Sequence, residues 1–297
     1  MLPRLSYAGP RSLDEALDIL AEHGSRARLL AGGTDLMPKM AKGALRPELV
    51  VSLRHVGELR PITYDPKTGL IIGAMARLAE VMENPHIRAH YPAIAEAAAQ
   101  TANIQIRNMG TLAGNICNGS PCADSAPTLL AYGARVRLAR AGSSRWVALE
   151  DFFLGPAQTV VTPEEVLVCV AVPPPQRQFG YAYRNIQARA HVDVSAASVG
   201  AGVSADGGRC AEVRIFLGAV GPTPLRAVKA EAHLQGSTLD PGILREAGEI
   251  AASECRPITD VRASASYRRR VIAVLTRRAV AAAAVRAGLQ LPTEAQP

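Results

Sequence analysis

The chain has 297 residues and a mass of 31.3 kDa, enough for two domains with ordinary cores. Hydrophobic residues make up 48% and charged residues 20%, a globular composition, while an aromatic share of 4% leaves core building to Ala, Val, Leu and Ile. The net charge of +7 rests on 29 Arg and only 4 Lys, a bias that reflects coding preference as readily as a polyanionic partner; with no nucleic-acid motif and no aromatics interleaved among the arginines, no nucleic-acid partner is expected.

In chain order, Ser12 is a good N-cap with Glu15 at capping-box spacing, so a helix opens there and runs through residue 20. The apolar run 27–31 predicts a buried strand, followed by a helix near 35–41 and a strand over 49–53, which makes a compact α/β unit of about residues 1–55. A second unit, 56–175, starts with a strand at 69–73, holds helices near 77–83 and from 93 to about 106, and ends with strands near 134–139 and 166–172. Pro173, Pro174 and Pro175 break hydrogen bonding and mark the best linker. Beyond it, residues 176–290 predict three strands (181–186, 195–203, 212–220) and then three helices (226–235, 241–253, 264–287), the order of a smaller α+β domain. In the last helix Arg268, Arg269, Arg270, Arg277 and Arg278 accompany Val271, Val274 and Leu275 at helical spacing, so these arginines read as a solvated or subunit-facing side.

Two glycine-bearing segments about 80 residues apart carry the functional signal. In the first, Leu29, Leu30, Ala31, Gly32, Gly33, Thr34, Asp35 and Leu36 place two glycines at a strand-to-helix turn, where free amides bind anions and a missing Cβ lets a phosphate approach the main chain. This is neither a Walker loop nor G-x-G-x-x-G. In the second, a helix runs into Gly110, Thr111, Gly114 and Asn115, and then Ser120 and Asp124 precede an apolar helix start at Ala126. Either segment alone reads equally well as a turn; the pair in this order suggests a dinucleotide held from two sides.

The segments Ala31-Gly-Gly-Thr-Asp-Leu36 and Gln105-Ile-Arg-Asn-Met-Gly-Thr-Leu-Ala-Gly-Asn115 with Ser120-Pro-x-x-Asp124 resemble the two pyrophosphate motifs of the FAD-binding medium subunits of the molybdenum hydroxylases, the group that includes xanthine dehydrogenase and carbon monoxide dehydrogenase. Val166-Leu-Val-Cys-Val-Ala-Val-Pro173, Tyr183-Arg184 with Arg189, Leu217-Gly-Ala-Val220 with Pro224-Leu-Arg226, and Tyr267-Arg-Arg-Arg270 follow in the family's order, so the resemblance covers nearly the whole chain. It implies an α+β fold: a two-subdomain FAD-binding domain of the vanillyl-alcohol-oxidase/PCMH type, then a smaller C-terminal domain with a three-stranded antiparallel sheet plus helices. It also implies that the main chain of residues 29–36 wraps the FAD diphosphate, that Ala102 and Ile106, one helical turn apart, lie against the cofactor, and that Gly110, Thr111, Gly114, Asn115 and Cys117 line the second phosphate and ribityl side. Asp124 would accept hydrogen bonds at the adenosine end, Leu167 would touch the cofactor, and Tyr183 and Arg184 would sit near the isoalloxazine. Two departures stand out: Ala113 replaces one of two adjacent family glycines, and Arg184 stands where the family often has lysine, a planar fork in place of a point charge.

The five cysteines (Cys117, Cys122, Cys169, Cys210, Cys255) form no C-x-x-C pair, which argues against an iron-sulfur cluster or structural zinc in this chain. The six histidines, at 23, 55, 86, 90, 191 and 233, have no ligand spacing, and the Cys-rich insertion of hydroxybenzoyl-CoA reductase medium subunits is absent. An odd cysteine count without a signal peptide predicts the reducing cytoplasm, and no apolar run approaches a membrane span. The resemblance implies partners: a large molybdopterin subunit and a small 2Fe-2S subunit, as a dimer of heterotrimers, with an external acceptor such as NAD or quinone. The chain's expected role is electron transfer, so no acid-base residue is assigned. The alternatives are a stand-alone FAD-dependent reductase and a flavin-free scaffold subunit.

Overall fold

The computed structural model describes residues 5–189, 193–292 and 294; His191 lies outside them. The first unit is a three-stranded parallel sheet of order β1-β3-β2, built from β1 (Ser6–Ala8), β2 (Ala27–Leu30) and β3 (Leu49–Ser52), with helices α1 (Leu13–His23) and α2 (Leu36–Ala41). Ser12 caps α1 by accepting from the Glu15 amide at 3.1 Å, whereas the Glu15 carboxylate reaches one residue past the cap to accept from the Arg11 amide at 2.7 Å. Ala16, Leu17 and Leu20 recur at helical spacing and are the buried face of α1.

The second unit contains β4 (Ile62–Asp65), β5 (Gly69–Gly73), helices α3 (Leu78–Glu83), α4 (Pro85–His90), α5 (Pro92–Gln100), α6 (Ile104–Met109), α7 (Leu112–Cys117) and α8 (Ser125–Ala131), then β6 (Arg135–Arg140), β7 (Ser143–Ala148), the short hairpin β8 (Phe153–Gly155) and β9 (Gln158–Thr159), and β10 (Val166–Val172). Its five-stranded antiparallel sheet has the order β4-β5-β10-β6-β7. The helix expected from 93 to about 106 is two helices: the chain breaks at 101–103, where Ala102 takes the left-handed conformation (φ 47°). Arg107 holds this turn, its Nη1 donating to the carbonyls of Thr101 (3.1 Å) and Ala102 (2.6 Å). Ala102 and Ile106 therefore do not share one helix face, although they stay close in the chain.

The C-terminal unit is a sheet of order β11-β12-β13-β14, from β11 (Phe179–Gln187), β12 (Ser195–Asp206), β13 (Arg209–Gly218) and β14 (Leu225–Arg226), followed by α9 (Val228–Leu234), α10 (Pro241–Glu254) and α11 (Ala265–Arg286). The three expected strands are present; the fourth is a two-residue edge strand. One core lies within this unit under α9, α10 and α11. Tyr181, Tyr183 and Phe216, however, belong to the core of the N-terminal units, so the sheet also closes that core. Arg268 departs from the solvated reading: it is 1% exposed, and its guanidinium donates to the carbonyls of Ala196 (2.5 Å) and Ala219 (3.0 Å) and to Asp260 (2.7 Å). Arg269, Arg270, Arg277 and Arg278 are exposed.

Glycines let helices press on both faces of this sheet. A Cβ at Gly200 would stand 2.4 Å from the Pro127 carbonyl of α8, and one at Gly180 would collide with the Ala283 carbonyl of α11. Overpacking at such a contact costs about 1–3 kcal/mol. Gly200→Ala should therefore lower the unfolding free energy by about 2 kcal/mol or more, whereas Gly57→Ala, with no atom within 4 Å of its Cβ, should stay within about 0.5 kcal/mol. Urea unfolding midpoints of the two variants against the parent decide it.

Candidate functional site: a cleft between two backbone loops

A cleft of about 760 Å³ opens between the first unit and the second, in the size range of cofactor sites. Leu29, Ala31, Gly32, Gly33, Thr34, Asp35 and Leu36 line it, as do Gly110, Thr111, Gly114, Asn115, Cys117 and Asp124, together with Ala102, Ile106 and Leu167. Leu30, Tyr183 and Arg184 do not line it.

The two loops touch each other. A Cβ on Gly32 would lie 2.1 Å from the Met109 carbonyl oxygen and 2.8 Å from the Gly110 Cα, so only glycine allows this approach. Gly33 takes φ 74°, which turns the chain into α2. Among the described residues, no acceptor takes a hydrogen bond from the amides of Gly32, Gly33, Thr34 and Asp35, and Asp35, at the N-cap position of α2, does not cap the helix with its own side chain. This is a nest of free donors with the positive end of a short helix behind it. On the opposite loop Thr111 Oγ1 caps α7 by accepting from the Gly114 amide at 2.9 Å, and Asn115 Oδ1 accepts from Ser125 Oγ at 2.5 Å, which leaves the Asn115 NH₂ as a donor. Burial pushes the Cys117 thiol up to about 12, so it is a neutral wall rather than a thiolate.

Sequence reasoning missed several lining residues. Lys39 Nζ donates to Asn118 Oδ1 at 2.6 Å and straps α2 to the end of α7; the only signal was a rare lysine a few residues beyond the first glycines. Arg28 lines the cleft, but its Nη1 donates to the carbonyls of Ser25 and Ala27, both at 2.7 Å. Asp193 and Val194 come from the segment ahead of β12, and no motif announced them.

Tyr183 and Arg184 lie behind the wall. Consecutive strand residues point to opposite faces, so the two cannot face one ring together. The Tyr183 hydroxyl donates to Asp124 Oδ1 at 2.5 Å, and Arg184 turns toward Glu96 at 3.9 Å. Asp124 is 4% exposed at the N-cap position of α8, yet its side chain does not cap the helix. It accepts instead from Tyr183 and from Ser195 Oγ at 2.5 Å. Burial pushes its carboxyl up to about 6, against the downward pull of hydrogen bonds from Ser195, Tyr183 and Asn185.

A fold of this kind, with free amides and close glycines at a two-sided cleft and an apolar wall beside it, is that of a dinucleotide-binding protein, and these residues fit FAD. Residues 3–175 match the family model for the FAD binding domain in molybdopterin dehydrogenase, and residues 181–283 match that for the CO dehydrogenase flavoprotein C-terminal domain. The carbon monoxide dehydrogenase medium chain of Afipia carboxidovorans is 35% identical over 288 residues, covering 97% of this chain and 99% of the relative. A putative xanthine dehydrogenase FAD-binding subunit of Escherichia coli is 32% identical over 287 residues, covering 96% and 98%. Among solved structures, a chain of carbon monoxide dehydrogenase from Hydrogenophaga pseudoflava superposes with a TM-score of 0.92 at 34% identity, covering 96% of this chain and 99% of that one. The chain belongs to the FAD-binding medium subunits of the molybdenum hydroxylases, the xanthine dehydrogenase and carbon monoxide dehydrogenase family. It is an oxidoreductase subunit whose cofactor is FAD.

Because the folded-state value of Asp124 lies above that of an unfolded aspartate, protonation favours the fold: its contribution is fully present below about pH 4 and is lost as pH rises through about 6. A shift of this size corresponds to on the order of 3 kcal/mol. In flavin-free protein, Asp124→Asn should gain stability relative to the parent by roughly that amount between about pH 4 and pH 7. Urea unfolding across this range is the measurement, and a difference between the two that stays constant with pH would mean an ordinary carboxyl at this position.

Proposed function

We propose that this chain is the electron-transfer station of a heterotrimeric molybdenum hydroxylase, taking electrons from the 2Fe-2S clusters of a small subunit and delivering them to an external acceptor, while a large molybdopterin subunit oxidises the substrate. The observation that carries the reading is the nest of four free amides at 32–35 facing a second glycine loop, in a chain that matches medium subunits from end to end. Bound FAD supplies the ability to accept electrons singly and release them in pairs, and the protein supplies binding and orientation.

In this reading the amides of Gly32 through Asp35 hold the diphosphate, and Asn115 donates from the facing loop. Asp124 accepts from a hydroxyl at the adenosine end. Ala102, Ile106 and Leu167 exclude water along the apolar wall. The partners are the two other subunits, in a dimer of heterotrimers, and the acceptor is NAD or a quinone. Among the described residues no helix is long and apolar enough to cross a membrane, and no group of three or more His, Cys, Asp or Glu could hold a metal. All five cysteines are unpaired, which supports assignment to the cytoplasm.

Gly32→Val drives a branched side chain into the Met109 carbonyl, and Gly114→Val displaces the Thr111 hydroxyl that caps α7. Each should weaken FAD retention by ~10-fold or more while leaving a folded protein, since each removes a cradle rather than a core contact. Flavin-to-protein ratios close to the parent's in both variants would rule out these cradles. The assembly is tested by tandem purification from the native host with metal analysis. Molybdenum and iron should copurify with the flavin, and a monodisperse monomer that oxidises a substrate without either metal would defeat the proposal.

A further inference from the structure

We propose that Tyr183 and Ser195, neither of which lines the cleft, are positioning residues for the cofactor: they aim Asp124 into the FAD site, so that the C-terminal domain is a working part of that site. This rests on the reading of the cleft as an FAD site.

Three observations converge on it. First, Asp124 is the carboxylate of the cleft that is sealed from water, and its causes of stabilisation are hydroxyls and an amide rather than a cation. Second, Tyr183 Oη and Ser195 Oγ both donate to Oδ1, each at 2.5 Å, which fixes the plane of the carboxylate and leaves Oδ2 as the oxygen that takes neither hydroxyl. Ser195 is itself committed: Asn185 Nδ2 donates to its oxygen at 2.9 Å, so its own proton is directed to Asp124. Third, the sheet is shaped to deliver these groups. A bulge shifts the β11–β12 register between Ile186 and Gln187, at the pairing of Gln187 with Ser195, and bulges re-aim side chains. The buried guanidinium of Arg268 pins the adjacent Ala196 carbonyl and that of Ala219, while the Ala219 amide donates to the Pro121 carbonyl at 2.7 Å, three residues before Asp124. The loop from Ser120 to Asp124 is thus tied to the C-terminal sheet through both main chain and side chain.

The ionisable groups facing Asp124 are few. Tyr183 is held protonated by burial and by the Asp124 charge, and burial raises the thiol of Cys122 two residues upstream. Beyond Cys122 stand Arg268, Arg262 and Asp260, and Asp193, which shares the cleft, is paired with Arg189 at 3.2 Å. Donors to a carboxylate favour its charged form, so removing one moves its titration upward.

The test is FAD titration into flavin-free full-length chain between about pH 5 and pH 8, followed by flavin fluorescence, for the parent, Tyr183→Phe, Ser195→Ala and Asp124→Asn, with a thermal midpoint for each. In the parent, affinity should fall as pH drops through about 6. In Tyr183→Phe and in Ser195→Ala that midpoint should move up by about one pH unit, which raises Kd about 2-fold at pH 7 and about 10-fold at pH 5, and Asp124→Asn should bind weakly with no pH dependence. Having two independent hydroxyl deletions keeps the test open should one of them fail to fold. Lower thermal midpoints with an unmoved pH profile would assign both hydroxyls a structural role and overturn the inference. A parent chain that takes up no FAD would instead overturn the reading of the cleft on which it rests.

Discussion

The cleft depends on one contact, the approach of the Gly32 main chain to the carbonyl of Met109 and the Cα of Gly110. Gly32 follows the end of β2 in the parallel sheet, and Met109 ends α6 in the unit built on the antiparallel sheet. The two units have separate sheets, and at this point their backbones meet with no side chain between them. Any Cβ here would push the loops apart by more than an ångström, because the obstacle is main chain rather than a flexible side chain. The Lys39–Asn118 hydrogen bond spans the same pair of loops and helps fix their separation.

An electrostatic consequence follows from building the site this way. The chain has 29 arginines, yet the arginine on the cleft wall, Arg28, is turned to backbone carbonyls. The side chains around the cleft include the carboxylates of Asp35, Asp124 and Asp193. Apart from Lys39, whose ammonium is held by Asn118, an anion is therefore met by oriented amides, which carry no mobile charge and need no long side chain to be ordered. The net charge of +7 describes the outer surface and has little bearing on the cleft.

Much of this was legible in the sequence, for physical reasons. The strands Gly69–Gly73 and Val166–Val172 fall where continuous apolar runs placed them, because strands buried on both faces have no polar alternation to confuse the reading. The glycine pairs announced both loops. What escaped depends on tertiary context. Strand β7, Ser143–Ala148, is almost wholly exposed at the sheet edge and has no apolar pattern. The break at Ala102 needs an alanine at positive φ, a conformation its residue type disfavours and that Arg107, five residues on, holds in place. Arg268 sits in a run of three arginines that local pattern cannot tell apart, and only the packing of α11 on the sheet selects it for burial.

Tyr183 and Arg184 do not line the cleft, and their strand shows what a motif leaves out. A motif names neighbours in sequence, but a strand sends neighbours to opposite faces, and helix α8 occupies the face that Tyr183 points to. That helix can approach because Gly200, paired with Tyr183 across the β11–β12 ladder, presents no Cβ to Pro127. The same close approach carries Asp124, at the start of α8, onto the Tyr183 hydroxyl. A glycine chosen for helix-on-sheet packing in one domain thus sets the surroundings of a carboxylate in the cleft of the other. The match to the FAD binding domain ends at residue 175, but Asp124 draws its hydrogen bonds from Tyr183 and Ser195 beyond it.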